Sequence, residues 1–148
     1  MSAKTESVLI RQFAENDTEA LIALWQDCGL TRPWNDPRKD IQRKLQVQPE
    51  LFLVAEEYGD LAGSAMAGYD GHRGSVYYLA VHPNHRRRGL GRLLMAQVET
   101  RLASYGCPKL NVMVRHSNLD VTNFYQCLGY EDSDVHVLGK RLIEDQAD

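Results

Sequence analysis

The stretch Ala80-Val81-His82-Pro83-Asn84-His85-Arg86-Arg87-Arg88-Gly89-Leu90-Gly91-Arg92-Leu93-Leu94 joins an apolar run to a helical pattern through a basic turn punctuated by glycine. Upstream, Val76 to Val81 is rich in aromatic and β-branched residues and apolar at odd and even positions alike, as in a strand covered on both faces. Pro83 ends that strand. Downstream, Leu90, Leu93, Leu94, Val98 and Leu102 recur at helical spacing, and no proline follows until Pro108. The segment therefore reads as strand, turn, helix.

Glycines at 89 and 91 let the backbone of such a turn approach a ligand, and the first N–H groups of the helix have no partners of their own. The helix dipole adds about half a positive charge at the same place, and Arg86, Arg87, Arg88 and Arg92 add full ones. A polyphosphate is the ligand such a turn suits. Neither Gly-Lys-Ser nor Gly-Lys-Thr follows, and Leu94 stands where the dinucleotide fingerprint needs its third glycine, so nucleotide hydrolysis and hydride transfer lose ground.

The hexapeptide Arg86-Arg87-Arg88-Gly89-Leu90-Gly91 resembles the acyl-CoA-binding signature of the GNAT N-acetyltransferase superfamily, in its small single-domain bacterial form. Leu79-Ala80-Val81-His82-Pro83 is similar to the strand that leads into that family's loop. The resemblance implies that the backbone from Arg86 to Arg92, with Arg87, Arg88, Gly89, Leu90 and Gly91 between them, cradles the CoA pyrophosphate. It also implies that the main chain of Leu79 and Val81 hydrogen-bonds the pantetheine arm.

Composition agrees with a small cofactor rather than a large charged partner. The chain has 148 residues, enough for one domain (1–148) with its own core. Its formal charge of −3 argues against nucleic-acid binding, so the cluster of arginine is a local positive site. No apolar run approaches the ~20 residues of a membrane span, and the start Met1-Ser2-Ala3-Lys4-Thr5-Glu6 does not resemble a secretory signal, which leads to a cytoplasmic expectation. Cys28, Cys107 and Cys127 lack paired metal-ligand spacing and read as reduced thiols, with Cys28 and Cys127 at apolar helical positions in the core. No acidic residue completes a ligand set with His82, His85 and His116, so no metal is expected.

In chain order, Val8 and Ile10 open a strand, Asn16 or Asp17 caps a helix carrying Leu21, Leu24, Trp25 and Cys28, and Gly29 stops it. Asn35 or Asp36 before Pro37 starts a second helix with Ile41 and Leu45 inward. Trp34, in the loop between these helices, is either a packing anchor or part of a substrate mouth. Leu51 to Glu56 and Leu61 to Tyr69 flank Tyr58-Gly59-Asp60 as a hairpin, and Leu110, Val112 and Val114 mark a strand after the motif helix. A short helix over Leu119 to Leu128 follows, then a late strand at Val135 and Val137 and a frayed acidic tail from Glu144 to Asp148. This order matches the GNAT fold. The expected class is α+β, a mixed central sheet of six to seven strands with about four helices on both faces.

Asn118-Leu119-Asp120-Val121-Thr122-Asn123-Phe124-Tyr125 and the following Gly129-Tyr130 resemble the family's C-terminal signature, although Val121 stands where alanine is usual. The resemblance implies that Asn118 hydrogen-bonds the pantetheine and that Tyr125 lies near the CoA sulfur. A phenol of pKa about 10 can protonate a thiolate whose acid lies near ~8.5 at modest cost, so Tyr125 is the candidate general acid. Many relatives carry a glutamate on the central strand just before Leu79-Ala80-Val81, where this chain has Tyr77 and Tyr78. Glu56, Glu57, Asp70 and His116 are then the candidate water-linked bases. At pH 7 an α-amine of pKa about 8 is roughly one-tenth neutral and a lysine amine only about one part in a few thousand, which favours a low-pKa acceptor.

The expected activity is direct transfer of the acetyl group of acetyl-CoA to a primary amine, on a peptide N-terminus or a small molecule. The alternative is a non-catalytic acyl-CoA sensor. Family members often dimerise through late strands, which makes a homodimer one expected state.

Overall fold

The computed structural model describes residues 7–145, beginning with strand β1 (Val8–Gln12). Helices α1 (Thr18–Asp27) and α2 (Pro37–Lys44) follow, then strands β2 (Phe52–Glu57), β3 (Asp60–Tyr69) and β4 (Gly74–Val81). Helix α3 (Leu90–Ser104), strand β5 (Leu110–Val112) and helix α4 (Leu119–Cys127) complete the order. The sheet runs β1-β2-β3-β4-β5, antiparallel except for the parallel β4–β5 pair. The α+β class and the four α-helices are as the sequence implies.

Alternation along β2 divides the core in two. Phe52 and Val54 face α1 and α2 with Leu21, Leu24, Trp25 and Ile41, whereas Leu53 and Ala55 face α3 with Leu94, Met95, Val98 and Leu102. All four β2 side chains are fully buried, as a strand covered on both faces requires. Helix α3 buries Leu90, Leu94, Met95, Val98 and Leu102, each contributing roughly 1.5–3 kcal/mol. That packing fixes the helix start beside the end of β4.

Two caps differ from the simplest reading. Asp36 caps α2 by accepting from Arg38 N at 2.9 Å. Asp17 precedes α1 but turns its carboxylate to Arg11, at 2.7 and 2.9 Å, and to Ala14 N, so an ion pair to β1 replaces the cap. Cys28 is half-buried, while Cys127, expected in the core, is exposed on the outer side of α4.

The described residues contain five strands, not six to seven, because the strand expected at Val135 and Val137 does not form. Those side chains are 71% and 66% exposed, so the alternation there meets no core. Asp134 sits at φ +53° and its N–H bonds Asp132 Oδ1, a local turn that breaks the extended run. The tail is not frayed as far as Asp145, whose buried carboxylate takes both Arg43 Nη atoms at 2.7 and 2.9 Å. Residues 146–148 lie outside the described residues.

Candidate active site

β4 and β5 pair only through Gly74–Leu110, Ser75–Asn111 and Val76–Val112, then part. The far half of β4 has no neighbour on that edge among the described strands. His82 N–H donates to Ala62 O at 2.8 Å, so by strand alternation Val81 turns its peptide groups to the open edge. Val81 O there accepts from Arg86 Nε at 3.0 Å.

A bulge lies beside this opening. Ser64 pairs with Ala80 but Met66 with Tyr77, leaving two β4 residues against one on β3. Tyr78 takes φ +53°, an unusual value for a bulky residue. As a result Tyr77 and Tyr78 both face α1 and α2, while Leu79 and Val81 pack on the α3 side. The Tyr78 ring stacks on Trp25 with centroids 3.8 Å apart. Its hydroxyl donates to Asp40 Oδ2 at 2.6 Å, and burial first, then this bond, push the phenol well above its usual range.

The loop after β4 is held from below. His82 Nδ1 accepts from Asn84 N, which leaves Nε2 to donate to Asp27 at 3.0 Å. Glu57, fully buried at the end of β2, has Oε1 2.6 Å from His85 Nδ1 and 3.3 Å from Arg88 Nη1. The His85 contact is the main reason that its pKa falls below the usual carboxylate range. Gly89 then begins α3 at φ +80° and offers no side chain to cap the helix. Leu93 N bonds Gly89 O, so the N–H groups of Leu90, Gly91 and Arg92 remain without intrahelical partners.

The four arginines do not act alike. Arg86 and Arg88 are tied to Val81 O and Glu57, whereas Arg87 and Arg92 make no hydrogen bond or ion pair among the described residues and stand exposed. Arg87 is itself in the left-handed region at φ +66°. The expected ring of four charges is two anchors and two free cations. Gly91 has a packing role as well, since a Cβ there would lie 3.1 Å from Phe124 Cζ.

Asn118 caps α4 by accepting from Val121 N at 3.3 Å, and its amide N–H groups have no partner among the described residues. Tyr125 is buried between Phe124 and Tyr130, with centroids 5.2 and 5.4 Å away. Its hydroxyl makes no hydrogen bond among the described residues, and burial pushes the phenol up to about 12, above the ordinary value assumed from sequence. Tyr130 is secured by Glu99 Oε2 at 2.6 Å.

Three of the candidate bases are engaged elsewhere. Glu56 pairs with Arg11 at 3.2 Å, Glu57 holds the loop, and Asp70 accepts from the N–H groups of His72 and Arg73 in its own turn. His116 is exposed in the segment before α4. Asp40 was not apparent from sequence, because only the fold carries it to Tyr78. A tyrosine in place of the strand glutamate was the available signal. Trp34, 47% exposed, lines a cleft of about 560 Å³ with Arg43 and residues 139–143.

An open parallel strand pair, a helix start without a side-chain cap beside two free cations, and a buried tyrosine in α4 are what the chain assembles at this end of the sheet. The sequence matches the acetyltransferase (GNAT) family over residues 13–130, and the chain belongs to that family. It is 56% identical over 137 residues to an acetyltransferase of Yersinia pestis, covering 93% of this chain and 97% of that one. An acetyltransferase of Pectobacterium atrosepticum is 55% identical with the same coverage. Among solved structures, aminoglycoside N-acetyltransferase AAC(6')-Iy in complex with CoA aligns with TM-score 0.76 and 20% identity over 92% of this chain and 95% of that one. Ard1 from Thermoplasma volcanium aligns with TM-score 0.73 and 25% identity, covering 83% and 82%. These structural likenesses show the fold.

Proposed function

We propose that the chain transfers the acetyl group of acetyl-CoA directly to a primary amine on a small molecule or a peptide N-terminus. The observation that carries this reading is the unpaired start of α3 with Arg87 and Arg92 free beside it, next to the open edge of β4. Pyrophosphate on the N–H groups of Leu90, Gly91 and Arg92 would neutralise both. The pantetheine would run along Leu79 and Val81, with Asn118 donating from the other side. A main-chain N–H of this open edge would polarise the thioester carbonyl, and orientation would supply much of the rate.

Tyr125 would meet the departing sulfur. Full proton transfer from a phenol near 12 to a thiolate whose acid is near ~8.5 costs roughly 5 kcal/mol. Tyr125 therefore acts first as a hydrogen-bond donor to the growing negative charge, and its proton follows as the C–S bond breaks. On this reading residues 1–148 form one catalytic domain working in the cytosol.

The test is calorimetry with acetyl-CoA, then mass spectrometry of a panel of L-alaninamide, Nα-acetyl-lysinamide, glycine and spermidine, with Tyr125→Phe alongside. Acetylated product that falls sharply in the variant is the expected outcome. Acetyl-CoA binding without product from any amine would count for a non-catalytic acyl-CoA module.

A further inference from the structure

We propose that Tyr78 and Asp40 receive the proton of the acceptor amine, a role that rests on the transfer reading above. The β4 bulge brings Tyr78 to the α1 and α2 face one residue before Leu79, so its phenol lies across the sheet from the Tyr125 cluster. Trp25 fixes the ring by stacking, and the 2.6 Å bond to Asp40 fixes the hydroxyl. Asp40 is not sealed in, since its side chain is 23% exposed. It lies 3.7 Å from Arg43, which also lines the cleft that Trp34 borders.

The acceptor's deprotonation balances without any further reactant, and the proton that the nitrogen sheds after attack replaces the one Tyr125 gives the sulfur. An acceptor enters as its ammonium ion, and one of its N–H bonds breaks as that hydrogen bonds to the Tyr78 oxygen. The Tyr78 O–H breaks in turn and its hydrogen passes to Asp40 Oδ2. The amine is left with a lone pair for the thioester carbon, Tyr78 is again a phenol, and Asp40 is a neutral acid that returns its proton to water through its exposed edge. The raised phenol pKa is consistent with Tyr78 passing a proton on rather than resting as a phenolate. The charged groups around the pair are Arg43 on α2 and Asp145 and Arg141 from the tail.

Asp40→Asn keeps an oxygen to accept from Tyr78 but cannot take a proton, and Tyr78→Phe keeps the stacking on Trp25. Both are compared with wild type by thiol release from acetyl-CoA with each amine of the same panel between pH 6 and 10, and by calorimetry with acetyl-CoA alone. The expected result is unchanged acetyl-CoA affinity in both variants and about a 100-fold fall in turnover at pH 6.5. The deficit of Asp40→Asn should close as pH rises past the pKa of the amine, near 8 for alaninamide and higher for the lysine side chain. A merely structural loss would leave the deficit constant with pH. Wild-type turnover with an equally active Asp40→Asn, or a deficit that does not change with pH, overturns the pair alone. Wild type that binds acetyl-CoA and acetylates no amine overturns the transfer reading, and the pair with it.

Discussion

Gly91 in the first turn of α3 and Phe124 in α4 approach so closely that a Cβ on the glycine would stand 3.1 Å from Phe124 Cζ. The proposed phosphate end and the proposed acid are thus in mechanical contact, because Phe124 also packs edge-on to Tyr125. Gly91→Val should cost about 1–3 kcal/mol by overpacking and weaken acetyl-CoA binding as well. Urea unfolding and calorimetry on the same protein check both, and normal affinity would remove Gly91 from the cofactor site.

Replacing Glu57 should loosen the loop from beneath. Glu57→Gln removes the charge that faces His85 and Arg88, and acetyl-CoA affinity should fall by about tenfold, equivalent to about 1.4 kcal/mol. The pH dependence follows from the lowered pKa. The contribution of Glu57 is complete above the unfolded value near ~4.3 and is lost as pH falls through the lower folded value. Thermal melts from pH 7 to pH 3 should show wild type losing its advantage over Glu57→Gln at the acid end.

Tyr125→Phe should leave the fold intact, since the hydroxyl it removes has no partner among the described residues. Turnover should fall about 100-fold while acetyl-CoA affinity holds. With the phenol near 12, the wild-type rate should show no alkaline decline assignable to Tyr125 below about pH 11. A profile recorded to that pH tests the assignment.

The free and the tied arginines should separate by experiment. Arg87→Ala and Arg92→Ala should each weaken acetyl-CoA binding several-fold, more at low salt than high, with little change in melting temperature. Arg88→Ala strips the buried Glu57 of a cation and should lower the melting temperature. Calorimetry at two ionic strengths beside differential scanning calorimetry distinguishes the two effects.

What could be read from the chain was what is local. Strand, basic turn and helix from Val76 to Leu102 follow from spacing, one proline and a glycine that must adopt φ +80°. The contacts that complete the site are between residues far apart in sequence. Tyr78 and Asp40 are separated by 38 positions, and Arg43 and Asp145 by 102. No periodicity reveals such pairs, so Glu57 could be suspected of chemistry and Asp145 could be taken for a loose end. Val135 and Val137 failed in the opposite way, since alternation gives a side-chain pattern but not a neighbouring strand.

The single extra residue in β4 also acts as a change of phase. Ahead of it odd-numbered Tyr77 faces α1 and α2, and beyond it odd-numbered Leu79 and Val81 face α3. Deleting one of the two tyrosines would restore unbroken alternation, with Leu79 opposite Ala65 and still facing α3, and Ala80 still opposite Ser64. The approach to the loop would keep its parity. The extra residue thus adds a second phenol to the α1 and α2 side without disturbing the lining of the other.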